Sequence, residues 1–145
     1  MFLVDTNLLV YAADESSPLY QQARDLLGAW RSGRAAWRAT WSVFYEFLRV
    51  TTHPRIFNRP MPIASAWSFL RQVSASPSFA MLGETDRHLE IVTDLIRQYG
   101  HVRGNHVHDF HIAAVMLENG VREIRTADAD FHRFDFLTVT NPLKP

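Results

Sequence analysis

The sequence predicts an α/β fold built on a central, mainly parallel sheet of four to five strands. Short apolar runs alternate with stretches of helical periodicity along the chain, the pattern of strands joined by helical crossovers. Two of the candidate strands, residues 1–4 and 124–126, lead directly into segments rich in Asp, Thr and Asn. No internal repeat, linker or low-complexity stretch interrupts the alternation, so residues 1–145 are expected to form one domain.

The opening MFLVDTN places a buried strand against three polar residues, Asp5, Thr6 and Asn7. Ser17 as N-cap and Pro18 at the first helical position then introduce a helix with Leu19, Ala23, Leu26, Leu27 and Trp30 inward, ending at Gly33. Residues 35–40 read as the second strand. Ser42 is placed to cap a helix that buries Phe44, Phe47 and Leu48 and stops before Pro54. HPRIFNRPMP at 53–62, with three prolines, is irregular. The next helix carries Ile63, Ala66, Trp67, Leu70 and Val73 inward; Trp37 and Trp41 are left free to pack or to meet a partner. Residues 79–82 form a strand, followed by a Thr85-capped helix with Leu89, Val92, Ile96 and Tyr99 inward and Gly100 at its end. Asn105 is placed to cap a helix with Phe110, Ala113, Ala114 and Leu117 inward, stopped by Gly120. Strands at 124–126 and 137–140 precede a short tail.

Composition narrows the chemistry. With no cysteine, disulfides, zinc–thiolate sites and cysteine nucleophiles are excluded. No run approaches the roughly 20 apolar residues of a membrane span, and a cytoplasmic protein with no membrane partner is expected. Net charge is zero, from 15 basic and 15 acidic residues, which argues against a polycation that coats nucleic acid nonspecifically. Were four acids neutralised by metal, 11 would remain against 15 basic groups, and a polyanionic substrate becomes electrostatically reasonable.

In a parallel sheet, ligands bind at the C-terminal edge of the strands. Asp5 follows the first strand and Asp128 the strand at 124–126; Glu46 and Asp109 lie in the early turns of helices that start near the same edge. Like charges brought together raise one another's pKa, so such a cluster must hold protons or cations. Oxygen ligation without cysteine favours Mg²⁺ or Mn²⁺ over zinc. Each acid also has a local explanation. Asp5 suits a helix N-cap, Glu46 an exposed helix face, Asp109 the positive end of a helix, and Asp128 or Asp130 a turn. Their joint pattern is what points to a metal-dependent nuclease.

Four motifs in order, DTN at 5–7, Glu46 within FYEFLRV, HDFHIAAVMLENG at 108–120 and TADADF at 126–131, resemble those of the PIN-domain ribonucleases, particularly the VapC toxins of toxin–antitoxin pairs. The resemblance covers essentially the whole chain. It implies a three-layer PIN-like fold with helices flanking the sheet, and Mg²⁺- or Mn²⁺-dependent endonucleolytic cleavage of RNA by metal-activated water. It also implies a VapB-type antitoxin partner whose tail covers the active groove, and a homodimer. By position, Asp5, Glu46, Asp109 and Asp128 resemble the catalytic, metal-binding acids, and Asp130 an additional acid of some members. Thr6, Asn7 and Thr126 resemble the polar residues that orient them. Arg55, Arg59 and Arg103 are candidates for gripping flanking phosphates.

Two other readings compete. HVHDFH invites a zinc hydrolase, but on a helix His106, His108 and His111 point in different directions. A catalytically silent PIN-like module that binds RNA or protein is the alternative from another class; the intact acid set weighs against it.

Overall fold

The structure is a computed structural model that describes residues 1–143; Lys144 and Pro145, the end of the expected tail, lie outside the described residues. In chain order the elements are β1 (Phe2–Val4), α1 (Thr6–Ala13), α2 (Tyr20–Ser32), β2 (Trp37–Thr40), α3 (Trp41–Thr51), α4 (Ile63–Ser74), β3 (Phe79–Leu82), α5 (His88–Gln98), α6 (His106–Glu118), β4 (Glu123–Arg125), a 3₁₀ turn (Asp130–Arg133) and β5 (Thr138–Thr140). The strands form one sheet in the order β3-β2-β1-β4-β5, every neighbouring pair parallel. Central β1 is fully buried, with Phe2 level with Trp37 on one side and Glu123 on the other. No helix among the described residues is long and apolar enough to cross a membrane.

This strand order positions the site. From β1 the chain moves toward β2 and β3; from β4 it moves the opposite way, to β5. The C-terminal ends of β1 and β4 therefore flank the point where the winding reverses, which in open parallel sheets opens a crevice. Helix α1 packs on α2 and α3, and α3 on α4, while α5 packs on α6. Right-handed crossovers put these two groups on opposite faces of the sheet, giving three layers.

Several local expectations are corrected by packing and by backbone hydrogen bonding. Helix α2 starts at Tyr20, because Ser17 and Pro18 belong to a turn in which the Ser17 hydroxyl accepts from the Leu19 N–H at 3.1 Å. Helix α3 is capped by Thr40, whose Oγ1 accepts from the Val43 N–H at 3.2 Å, and not by Ser42. Asn105 precedes α6 without a side-chain capping bond, and Thr85 accepts from the Arg87 N–H in the turn before α5 instead of capping the helix.

On α4, Ala66, Leu70 and Val73 are buried, whereas Ile63 is 65% exposed and Trp67 is 40% exposed. On α5 the inward face is rotated from the expected one: Leu95 and Tyr99 are buried, while Leu89 is 82% exposed. Apolar residues at 89, 91, 92, 95 and 96 spread over nearly half the circumference of that helix, so helical periodicity alone leaves the centre of the buried face open. Helix α6 is buried from Ile112 to Met116 on nearly every side, and Leu117 is only half-buried. Gly120 ends it at φ +70°, a left-handed conformation that glycine adopts without strain. Trp37 is core, packed edge-on against Phe79, and Trp41 is half-exposed.

Candidate functional site

Asp5 is the first residue after β1 and the N-cap of α1. Its extended backbone and Oδ1, which accepts from the Thr6 N–H at 2.7 Å, make it a cap in fact. The cap leaves Oδ2 for other partners. Oδ2 accepts from the Thr126 hydroxyl at 2.7 Å and from Asn7 Nδ2 at 3.1 Å. Thr126 follows β4, and its Oγ1 also receives Asn7 Nδ2 at 2.9 Å and the Asp128 N–H at 3.0 Å. Since both of those partners are donors, the single hydroxyl proton of Thr126 must go to Asp5. Asn7 closes the bridge, accepting the Ala127 N–H on Oδ1 at 3.1 Å. The residues following β1 and β4 are thereby laced together, and Asp128 is held above the same edge.

The remaining acids arrive from two helices. Glu46, on α3, accepts a 3.3 Å hydrogen bond from the Thr6 hydroxyl and lies 3.7 Å from Arg49. Asp109, in the first turn of α6, lies 3.5 Å from His106 Nδ1. A depression of about 270 Å³ is lined by Asp5, Thr6, Asn7, Glu46, Asp109 and Asp128, with Val10, Tyr11 and Val50 completing its wall. All four carboxylates predicted to converge face this one pocket. They are nevertheless spread out. Beside the pocket, His106, Asp109 and Asp130 offer ligand atoms within 4.8 Å of one another.

Electrostatics follow from that arrangement. Asp5 is 7% exposed, and its pKa is pushed up to about 6, chiefly by burial. Hydrogen bonds from Thr126 and Thr6 oppose the rise, and the charges of Asp109 and Glu46 add to it. Asp109 is also raised, first by burial and then by Asp128 and Asp130, with His106 pulling the other way. A buried carboxylate in this condition is stabilised by a cation.

Asp130 sits beside the pocket and not in its lining: its N–H donates to Asp128 Oδ1 at 2.9 Å, and its carboxylate lies 3.6 Å from both His106 and Arg133. The predicted arginines fall elsewhere. Arg59 lines a separate depression with Asp14 and Glu15, Arg55 is exposed in the turn after α3, and Arg103 is exposed ahead of α6; none is among the described residues lining the acidic pocket. Arg49 is the cation that sequence reasoning missed. It lies one helical turn after Glu46, a spacing visible in the sequence. The three histidines of HVHDFH have different surroundings, as their helical placement requires: His106 meets Asp109 and Asp130, His108 lines a neighbouring groove, and His111 bonds Ser42 and Glu84.

The profile of the PIN domain matches residues 2–137. The chain belongs to the PIN-domain family. It is 31% identical over 144 residues to Ribonuclease VapC33 of Mycobacterium tuberculosis, covering 99% of each chain. Its fold is similar to that of M. tuberculosis VapC20, a toxin that cleaves the sarcin–ricin loop, with a TM-score of 0.63 and 16% identity over 92% of this chain and 94% of that one. A toxin–antitoxin complex from Klebsiella pneumoniae gives a TM-score of 0.60 at 17% identity, covering 98% of each chain. Within the PIN-domain family the relatives are VapC proteins, and the parallel five-stranded sheet flanked by helices is the fold they share with this chain.

Proposed function

We propose that this chain, residues 1–145 as one PIN domain, is a divalent-metal-dependent endoribonuclease and the toxin of a type II toxin–antitoxin pair. The observation that carries the reading is the gathering of Asp5, Glu46, Asp109 and Asp128, from four separate segments, onto one pocket at the switch point of the sheet. Repulsion among carboxylates makes such a grouping unfavourable unless it binds something positive. Its relatives are named ribonucleases, and RNA is a polyanion that cannot approach four bare carboxylates without an intervening cation.

The residues fit a hard divalent ion. Asp5, Asp109 and Asp128, with Glu46 and, through the adjoining turn, Asp130, form an oxygen-only donor set suited to Mg²⁺ or Mn²⁺. Mg²⁺ keeps several of its waters when bound, so not every one of these side chains has to touch it. A bound ion of this kind would lower the pKa of water and offset charge on a phosphodiester. The chain's own contribution is positional. Thr126, Asn7 and Thr6 fix the Asp5 carboxylate, Thr126 also fixes the Asp128 backbone, and His106 restrains Asp109.

A groove of about 650 Å³ shares Glu46 with the acidic pocket and is lined by Trp41, Ser42, Tyr45, Arg49, Asn105 and His108. Trp41 is 50% and Tyr45 67% exposed, which supplies stacking surface for bases beside a guanidinium for phosphate. Arg103 lies two residues before Asn105 and is the one sequence-predicted arginine adjoining this groove in the chain; Arg55 and Arg59 would act only on more distant phosphates. A VapB-type antitoxin, a homodimer and action in the cytoplasm complete the proposal. The test is incubation of total RNA with the purified protein, with and without Mg²⁺ or Mn²⁺, and mapping of new ends. Metal-dependent cleavage that Asp5→Asn abolishes in a folded protein supports the enzyme. Metal binding without cleavage of any RNA supports the silent binding module instead.

A further inference from the structure

On the far flank of α6 from Asp109 lies a second group of ligand-type side chains that the nuclease reading does not use. Glu84, in the loop after β3, His88, the first residue of α5, and His111, on α6, each offer one ligand atom within 4.8 Å of the others. From this geometry we infer a zinc-binding site formed by Glu84, His88 and His111, which ties the β3–α5 loop and α5 to α6.

The outer contacts of the two imidazoles argue for the site. His88 Nδ1 lies 2.6 Å from Glu118 Oε2, and the Glu118 side chain is fully buried, accepting from the Thr85 N–H as well. A carboxylate on Nδ1 fixes the proton there and leaves Nε2 with its lone pair, the carboxylate–histidine arrangement that accompanies bound zinc. His111 Nδ1 lies 2.9 Å from the Ser42 hydroxyl, so its Nε2 is likewise the outward nitrogen, 2.7 Å from Glu84 Oε1. Two imidazole nitrogens and one carboxylate oxygen suit a borderline ion such as Zn²⁺, in contrast to the oxygen-only pocket. Ligand atoms at about 2.0–2.1 Å from a tetrahedral ion stand roughly 3.3 Å apart, so inserting Zn²⁺ requires the His111–Glu84 hydrogen bond to open by about half an ångström and the proton on His111 Nε2 to be exchanged for one on Nδ1, which then donates to the Ser42 hydroxyl. Glu84 and His111 remain 48% and 38% exposed, which gives the ion a path in and water as a fourth ligand. Through His111 and Ser42 the site reaches the first turn of α3, one turn before Glu46, and α6 carries Asp109 two residues from His111.

The test uses tag-free protein carrying Asp109→Asn and Asp130→Asn, which removes the His106 group and cripples the oxygen site, titrated with Co²⁺ and Zn²⁺. The expected result is one equivalent of Co²⁺ with visible bands of low-coordinate nitrogen–oxygen ligation, displaced by Zn²⁺, and a Zn²⁺-dependent rise in Tm. Adding His88→Gln should weaken binding at least tenfold. Because His88 holds buried Glu118, the exposed Glu84→Gln provides an independent second variant that leaves the fold unburdened and should give a loss of the same order. Absence of stoichiometric binding, or binding unchanged by both substitutions, overturns the inference. Neither result depends on RNA cleavage, so failure here and failure of the nuclease reading are separable.

Discussion

Asp5→Asn separates the charge of the pocket from its shape. In metal-free protein at pH 7.5, Asp5 is ionised inside the fold although its pKa stands at about 6, against 3.8 for the unperturbed group. That difference corresponds to about 3 kcal/mol of stability withheld from the folded state. The sign follows from proton binding: between pH 4 and 6 the folded chain holds the proton more tightly than the unfolded chain, so stability falls as pH rises across that window and stays lower above it. Asparagine removes the charge, but its amide cannot accept from both sides. With Thr126 and Asn7 donating to one oxygen and Thr6 to the other, at least one donor loses its acceptor, at a cost of about 1–2 kcal/mol. The variant should therefore be more stable than wild type by up to about 3 kcal/mol at pH 7.5 in chelator, and close to wild type at pH 4, where protonated Asp5 likewise cannot accept fully on both oxygens. Urea unfolding at the two pH values reads the change. Adding Mg²⁺ at pH 7.5 should stabilise wild type and leave the variant nearly unmoved. A stability difference that is the same at both pH values would refute the claim that buried, uncompensated charge dominates this pocket.

Thr126→Val keeps the side chain's shape but removes the proton given to Asp5 and the acceptor for Asn7 and Asp128; Mn²⁺ affinity measured by titration should fall about 10- to 100-fold in a folded protein. Arg49→Ala should raise KM for RNA with little change in kcat, and flatten the salt dependence of binding, since Arg49 lines the groove and lies outside the acidic pocket. Phe131→Ala, at a fully buried position within the 3₁₀ turn that follows Asp128, should cost about 3–5 kcal/mol in urea unfolding.

The alternation of strands and helices was legible in the sequence because β1 and β3 are short apolar runs and most helices carry a clear apolar stripe. The sharing of one edge by Asp5 and Asp128 followed from topology, since both stand after parallel strands. What the sequence did not disclose were contacts between distant segments. Thr40, the last residue of β2, caps α3 in place of Ser42, whose hydroxyl is engaged by His111, 69 residues away. Helix α5 offered a broad apolar face, and only packing against α6 selected Leu95 over Ile96. The arginines in the proline-rich loop looked suited to phosphate, yet no sequence rule places that loop relative to the pocket; Arg59 faces Asp14 and Glu15 instead. Asp5 turned out to combine two readings that seemed to compete, since one oxygen caps α1 while the other joins the acidic pocket.

Diffraction from crystals soaked in Mn²⁺, recorded to reveal the anomalous signal of manganese, shows whether the carboxylates of the pocket hold a divalent ion. A peak is expected in the pocket within about 2.5 Å of carboxylate oxygens of Asp5, Asp109 and Asp128, lost in Asp5→Asn. RNA cleavage in Mn²⁺ by a protein whose anomalous peak lies away from these residues would rule out a catalytic ion held by them.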